Sequence, residues 1–424
     1  MPTEAAADVL APMLEALLGD RMPVRVEFWD GSGLGPLDSP GTLSVHTPDA
    51  VRRMLWAPGE LGVARAFVSE EITVDGDIFG LLRALRDASA RQLGQIDFRS
   101  LAGVALAARR LGVIGRAPEP PPEECKPAGR LHSIGRDAEV ISHHYDVGND
   151  FYSLVLGPSW TYSCARFVTP EYTLEQAQAA KYELICRKLG LHEQESPRLL
   201  DVGCGWGSMA MHAAQHHGAT AVGVALSREQ VARARERVRA AGLEDRVEIR
   251  MQDYRDLGGE QFDAISSIGM FEHVGRDKMT RYFETLRGLL RPQGRLLNHA
   301  ISTPGGSTPG SRSFIGRYVF PDGDLLDVGD VVLAMQAGGF EVRDVESLRE
   351  HYAQTLKCWV ANLESQWDEA VALVGRPRAN IWRLYMAASA LGFEDGGLGL
   401  HQVLGVATDD QGRSGMAPTR QGWD

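Results

Sequence analysis

Hydrophobic and polar positions along this chain follow two periods, and the change from one to the other outlines its architecture. Leu199, Leu200 and Val202 form an apolar run that predicts a buried strand. Gly203, Gly205 and Gly207 break it just before Ser208-Met-Ala-Met-His-Ala-Ala takes up helical spacing as far as Gly218. Further strands are predicted at 219–225, 247–251, 262–268 and 294–301, with helices at 174–189, 227–240 and 277–290 between them. Such alternation requires an α/β fold: a doubly wound, mostly parallel sheet with right-handed crossovers and its ligand cleft at the carboxyl ends of the strands.

Upstream, residues 4–18 have helical spacing and 24–28 and 41–45 read as short strands, so residues 1 to about 75 predict a small α+β unit. Residues 78–86 and 101–111 predict two helices with apolar faces and arginine on the polar side. Four prolines in Pro118–Pro122 exclude helix and sheet interior, placing a mobile linker at 117–135. Downstream, 303–328 is rich in Gly, Pro and Ser and interrupts the alternation as a lid over a site would. A strand at 340–345, two helices between about 356 and 391 and a last strand at 398–407 follow. The expected organisation is an amino-terminal domain over 1–116, the linker, a main domain over 136–408 and a polar, disordered tail over 409–424.

Composition narrows the classes. With 44 Lys+Arg against 56 Asp+Glu the formal charge is -12, so no nucleic-acid partner is expected. The sign reverses locally, where Arg83, Arg86, Arg91, Arg99, Arg109, Arg110 and Arg116 face only Asp87 and Asp97. That stretch reads either as ordinary packed helices with solvated arginines or as a basic amphipathic surface for phospholipid headgroups. Five scattered cysteines without paired spacing point to free thiols and a cytoplasmic chain. The amino terminus has no basic leader region, and no run approaches the roughly 18 apolar residues of a spanning helix, so a soluble protein is expected.

Asp201-Val-Gly-Cys-Gly-Trp-Gly is not the dinucleotide fingerprint, and no phosphate-binding Gly-Lys-Ser/Thr follows it. It resembles motif I of class I S-adenosylmethionine-dependent methyltransferases. The second strand of that family usually ends in an acid that binds the ribose, whereas this one runs Gly223-Val-Ala-Leu-Ser-Arg-Glu-Gln. Ser227 and Gln230 have the spacing of a reciprocal helix cap, so Gln230 either caps the helix or faces the ribose.

Five further motifs sharpen the resemblance: His144-Tyr-Asp-Val-Gly-Asn-Asp-Phe-Tyr, Thr161-Tyr-Ser-Cys-Ala, Gln252-Asp-Tyr-Arg-Asp, Ser267-Ile-Gly-Met-Phe-Glu-His-Val-Gly and His351-Tyr-Ala-Gln-Thr-Leu. Over nearly the whole chain the sequence resembles the cyclopropane fatty-acid synthases, which methylate the cis double bond of an acyl chain. The related mycolic-acid synthases lack a long region before the His-Tyr-Asp motif. The layout here is therefore similar to the phospholipid-acting synthases, whose amino-terminal domain engages lipid.

An alkene attacking a methyl sulfonium gives a carbocation that must be kept from water and then deprotonated. Aromatic faces tolerate a cation, which gives Tyr145, Phe151, Tyr162 and Phe271 a reason to lie near the cleft, although Phe151 and Phe271 also read as core. The resemblance implies a bound bicarbonate ion as base. Its binding positions match Cys164, Glu272, His299, Ile301 and Tyr352: His299, Tyr352 and the amides of Cys164 and Ile301 donate, and Glu272 accepts the ion's own hydrogen. Singly, each has a bland reading, such as a satisfied core histidine at 299 or a small buried hydrophobe at 164. Cys164 as a covalent nucleophile is a rival that lacks an adjacent base.

The resemblance also implies cofactor contacts from Tyr162, Ser163, Asp201, Gly203 and Gly205, from Ala225, Leu226 and Gln230 near the ribose, and from Gln252 and Asp253 near the adenine. No metal site is expected from His143, His144 and His273, whose neighbours lack ligand spacing. The implied reaction is methyl transfer from S-adenosylmethionine to the cis double bond of a phospholipid acyl chain, with ring closure. It would run at the inner membrane surface in a peripheral enzyme, which the family suggests is a homodimer. The rivals are a methylene- or methyl-branched product from the same site, a non-catalytic lipid-binding protein, and a small-molecule or nucleic-acid methyltransferase.

Overall fold

The computed structural model describes residues 4–19, 21–92, 107, 109–125, 147–306, 313–321, 323–420 and 422–423. It divides into two compact units: Met1–Cys125 with Ser311–Val319 and Gly375–Leu391, and Lys126–Gly310 with Phe320–Val374 and Gly392–Asp424.

The first unit is α+β. Its strands β1 (Arg25–Phe28), β2 (Gly33–Leu34), β3 (Gly41–Val45) and β4 (Ile72–Gly76) form a sheet in the order β2-β1-β3-β4. Leu10 and Met13 of the helix Ala6–Leu18 join Val24, Val26, Val51, Ile72 and Leu81 in one core. Of the two arginine-bearing helices, the first is Ile78–Gln92; most of the second lies outside the described residues.

The proline-rich segment differs from the expected linker. Up to Cys125 it belongs to the first unit, because Glu124 is buried and bound by Arg65 through Nε and Nη2, each at 2.8 Å. The Cys125 N–H donates to Arg317 O at 2.7 Å, so residues 311–319 also belong to this unit rather than to the main domain, where sequence order placed them. Phe314 and Tyr318 are buried there. Proximity along the chain hid this return. Residues 126–146 lie outside the described residues.

The second unit is the doubly wound sheet: β5 (Arg198–Val202), β6 (Thr220–Ala225), β7 (Val247–Met251), β8 (Phe262–Ile268), β9 (Leu290–Ser302), β10 (Glu341–Ser347) and β11 (Gly399–Val406), in the order β10-β11-β9-β8-β5-β6-β7. Strands β5 to β9 run parallel, and β11 lies antiparallel to both β9 and β10. Side chains alternate between two cores: Leu199, Ala221, Ile249 and Ala264 pack on one face, Leu200, Val222, Val224 and Ile265 on the other. Helices cover both faces, which is why these strands are apolar almost throughout. The chain leaves β5 toward β6 and returns to add β8 on the other side of β5. The carboxyl ends of β5 and β8 therefore flank a topological switch point, where a doubly wound sheet leaves a crevice.

Two sequence expectations are corrected here. The region 349–394 holds three helices, Arg349–Ser365, Trp367–Val374 and Arg376–Glu394, because Gly375 (φ 78°) followed by Pro377 ends one and starts the next. The carboxyl-terminal tail is folded. Asp409 accepts from the Gln411 and Arg413 amides at 3.0 and 2.9 Å and from Gln293 Nε2 at 2.8 Å, and Met416 and Trp423 pack on the core. Local polarity pointed to disorder, while two apolar residues spaced along the tail were enough to anchor it. Among the described residues, no helix is long and apolar enough to cross a membrane.

Candidate active site

The crevice at the switch point holds a cavity lined by the glycine turn. Gly203 has φ 75°, and a Cβ there would stand 3.0 Å from Met270 Cβ and Cγ on the facing loop. A side chain would fill the cradle that a ligand's backbone contacts require. The turn is held from behind, where the Gly203 and Cys204 amides donate to Val224 O at 2.9 and 3.1 Å. Ala is expected to raise the cofactor dissociation constant about tenfold at this position, since a left-handed non-glycine residue costs about 1–2 kcal/mol. Calorimetric titration of Gly203→Ala with S-adenosylhomocysteine checks this, and unchanged affinity would separate the turn from the cofactor.

All ten residues named for the cofactor line this one cavity: Tyr162 and Ser163, Asp201, Gly203 and Gly205, Ala225, Leu226 and Gln230, and Gln252 and Asp253. Asp201, the penultimate residue of β5, is fully buried, and Ser266 Oγ donates to its Oδ1 at 2.7 Å. Burial lifts its pKa to about 6, against the pull of Ser266 and Lys181. Gln230 resolves the choice left open by its spacing. Its backbone N–H bonds Ser227 Oγ at 3.3 Å, but the return bond of a capping box is absent, and its side chain lies buried on the cavity wall. Asp253 is tied to Arg255 by three hydrogen bonds of 2.9, 2.8 and 2.5 Å, which orient its carboxylate. His273 also lines the cavity, and His143, His144 and Tyr145 lie outside the described residues.

Of the five residues named for the base, Glu272 and Ile301 touch directly, Cys164 and Tyr352 connect to Ile301 through Leu348 and Leu400, and His299 lies on the same strand as Ile301. Glu272 sits in the 3-10 turn Phe271–His273 that follows β8 and accepts the Ile301 N–H at 2.7 Å through Oε1. That amide is thus occupied by Glu272, a correction to the expectation that it donates to an anion. Glu272 Oε2 is buried without a hydrogen-bond partner, and burial raises the carboxyl pKa to about 7 against the Ile301 amide, which lowers it. Ile301 pairs with Leu400 on β11, whose carbonyl receives the Leu348 amide at 2.9 Å. The Cys164 thiol donates to Leu348 O at 3.6 Å, and Tyr352 follows one helical turn later. Thr355 on the same helix accepts the Ala165 amide at 3.0 Å, and His351 Nδ1 accepts that of Phe167 at 3.2 Å. The Thr161 and His351 motifs are therefore stapled together.

Cys164 is fully buried, and burial pushes its thiol pKa up, beyond what nearby Lys181 offsets. A thiol held protonated is a poor nucleophile, which removes the covalent rival. Phe151 and Phe271 are fully packed and belong to the core, as one of their two readings had it.

His299 is held in a single tautomer by residues the sequence reading missed. Lys188 Nζ, itself buried, donates to Gln402 Oε1 at 3.0 Å, which fixes the orientation of that amide. Gln402 Nε2 must then donate to His299 Nδ1, at 3.2 Å. Burial, with Lys181 and Lys188 nearby, drives the imidazole pKa well down, so the ring is neutral and its proton sits on Nε2. That Nε2 is buried with no partner. His299 Nε2–H is thus an orphaned donor and Glu272 Oε2 an orphaned acceptor.

Lys181 was missed too. It is fully buried, its Nζ lies 3.0 Å from Ser163 Oγ and 3.7 Å from the Tyr182 ring centroid, and burial lowers its pKa to about 7. Gln178, Lys181 and Lys188 all fall on the buried stripe of the helix Leu174–Lys188 with Leu174, Ala177 and Ile185. Polar residues on an apolar stripe were the signal that could have exposed them.

The model of the mycolic acid cyclopropane synthetase family matches residues 132–403. The chain is an S-adenosylmethionine-dependent methyltransferase of the cyclopropane synthase family. The methyltransferase is 44% identical over 415 residues to a probable fatty acid methyltransferase of Mycobacterium tuberculosis, covering 95% of each chain. It is 32% identical to a tuberculostearic acid methyltransferase of the same organism (95% of this chain, 92% of the relative). It is also 32% identical to the cyclopropane-fatty-acyl-phospholipid synthase of Escherichia coli (86% and 88%). Among solved structures, a mycolic acid cyclopropane synthase complexed with SAH and CTAB aligns with TM-score 0.59 and 32% identity, over 63% of this chain and 98% of its own.

Proposed function

We propose that this methyltransferase transfers the methyl group of S-adenosylmethionine to the cis double bond of a phospholipid-bound unsaturated acyl chain, and that loss of a proton from the new methyl closes a cyclopropane ring. The observation that carries the reading is the orphaned pair, His299 Nε2–H and Glu272 Oε2. A buried donor and a buried acceptor left unpaired cost about 1–3 kcal/mol each, so a ligand with both an acceptor and a hydrogen to give belongs between them. Bicarbonate has that chemistry, and the donor set fits it: neutral His299 donates, Glu272 accepts, and the Tyr352 hydroxyl is a further donor on the adjoining helix. When bound, bicarbonate supplies a weak base. The sulfonium donor supplies an electrophilic methyl.

The chain's own residues do the rest. Gln402 and Lys188 hold the His299 proton on Nε2, and the Ile301 amide holds one oxygen of Glu272 so that the other can take a hydrogen bond. Buried Tyr352, Trp359 and Phe393 lie together, Trp359 edge-on at 6.0 Å and Phe393 tilted at 4.7 Å from the Tyr352 ring, an apolar wall of the kind that keeps water from a cation. A cation that meets no water survives to lose its proton. Peripheral contact with the inner membrane surface is supported by the first unit, which exposes Trp56 and Val63 on consecutive helices and Ile114 beyond them.

A second reading keeps the site and redirects the cation: a 1,2-hydride shift followed by loss of a proton from the new methyl gives a methylene branch, and loss of a chain proton gives a methyl branch beside a retained double bond. It is favoured by the names of the fatty acid and tuberculostearic acid methyltransferases among the relatives. Mass spectrometry of phospholipids from a host expressing the protein separates the two. Ring-bearing chains resistant to mild hydrogenation are expected, and branched unsaturated chains alone would replace the first reading by the second.

A further inference from the structure

The helices Leu174–Lys188 and Ser208–His217 pack side by side on one face of the second unit's sheet, and away from the cofactor cavity they bring together a set of side chains that catalysis does not use. Cys186 Sγ and one imidazole nitrogen each from His212 and His217 all lie within 4.8 Å of one another. Cys186 is fully buried, and the two imidazoles are 12% and 6% exposed. His212 Nε2 is shielded from solvent and has no hydrogen-bond partner. Glu183, one turn before Cys186, directs Oε2 toward both rings, 2.9 Å from His217 Nε2 and 3.6 Å from His212 Nε2, the latter beyond hydrogen-bond reach. Its other oxygen is taken by Arg187 Nε at 2.7 Å.

We propose that Cys186, His212, His217 and Glu183 Oε2 form a four-ligand site for a zinc-class divalent cation. One thiolate, two imidazoles and a carboxylate are a ligand set that zinc accepts in tetrahedral geometry, and its bond lengths place neighbouring ligand atoms about 3.4–3.6 Å apart. Cys186, His212 and His217 already lie within 4.8 Å of one another, and Glu183 Oε2 reaches both rings, so side-chain rotation must bring the four ligand atoms to that spacing. His216 is exposed, and its ring lies tilted 4.5 Å from that of His212.

The site's consequence is structural. The first helix carries Gln178, Lys181 and Lys188, which bond Ser163 and Gln402, and the second begins directly after the glycine turn. An ion clamped between them ties the two helices that shape both halves of the active site, and it stabilises the fold by mass action. None of the four ligands lines the cofactor cavity, so this inference stands apart from the choice of lipid product.

The test uses the untagged full chain, purified without chelator. About one zinc per chain retained through gel filtration is expected by elemental analysis. Cobalt substitution is expected to give a thiolate-to-metal charge-transfer band that disappears in Cys186→Ser, and zinc affinity is expected to fall at least about tenfold in His212→Ala, or about 1.4 kcal/mol. Added zinc should raise the melting temperature of the wild type and leave that of His212→Ala unmoved, a readout that holds even if one variant loses activity. Substoichiometric zinc with no cobalt–thiolate band, or the same band persisting in Cys186→Ser, would overturn the site.

Discussion

Glu272→Gln is expected to lower kcat by about 10²–10⁴-fold, the range of a lost proton-handling group, with affinity for S-adenosylhomocysteine changed less than about twofold. Glutamine keeps the size of the side chain, and its carbonyl can still receive the Ile301 amide. Its NH2 then replaces the orphaned acceptor Oε2 with a donor, and the site presents donors from both His299 and position 272. An anion could still bind, but its hydrogen would have no acceptor. The wild type carries the matching pH signature. Because burial raises the Glu272 pKa to about 7, the carboxylate forms only as pH rises through that value, so kcat climbs across it and falls away on the acid side. The residual rate of Glu272→Gln should lack this limb. Steady-state assays with saturating bicarbonate measure both, and full turnover in the variant would remove Glu272 from the reaction.

Lys188→Met is expected to destabilise the protein by roughly 3 kcal/mol, since removing one partner of a buried ion pair leaves the other charged and desolvated. Lys188 is 1% exposed at its side chain, sits 3.1 Å from the equally buried Asp344 Oδ2, also pairs with Glu346, and anchors Gln402. For a unit of this size that loss lowers the melting temperature by about 6–12 °C. The substitution also frees the Gln402 amide to turn over, which would present its oxygen to His299 and move the imidazole proton to Nδ1. Turnover should therefore fall further than the folded fraction does. A variant with wild-type melting temperature and kcat would show that the relay from Lys188 to His299 does no work.

The sheet was legible because its strands are buried on both faces and read as continuous apolar runs: β7 and β8 have the predicted bounds, and β5 and β6 differ little. The cofactor wall was legible for a related reason. Strand ends meet at the switch point whatever their separation in sequence, so naming the residues after β5, β6 and β7 named one cavity. The five residues assigned to a base came from motif resemblance, and the structure joins Glu272 to Ile301, which reassigns the Ile301 amide. What stayed hidden depends on long-range pairing of polar side chains. Lys188 and Gln402 meet across 214 positions, and each alone reads as an ordinary surface residue. The tail over 409–420 was misread for the opposite reason: its local polarity is real, yet Asp409 caps its own turn and Met416 holds it to the core.

Transfer from S-adenosylmethionine carrying a trideuterated methyl group, to phospholipid vesicles with cis-unsaturated chains and with added bicarbonate, tests the proposed chemistry most directly. Mass spectrometry of the released acyl chains is expected to show products that keep two of the donor's three deuterons, contain no double bond and depend on bicarbonate. A product that keeps all three deuterons beside a retained double bond, formed equally well without bicarbonate, would contradict both the ring closure and the base placed between His299 and Glu272.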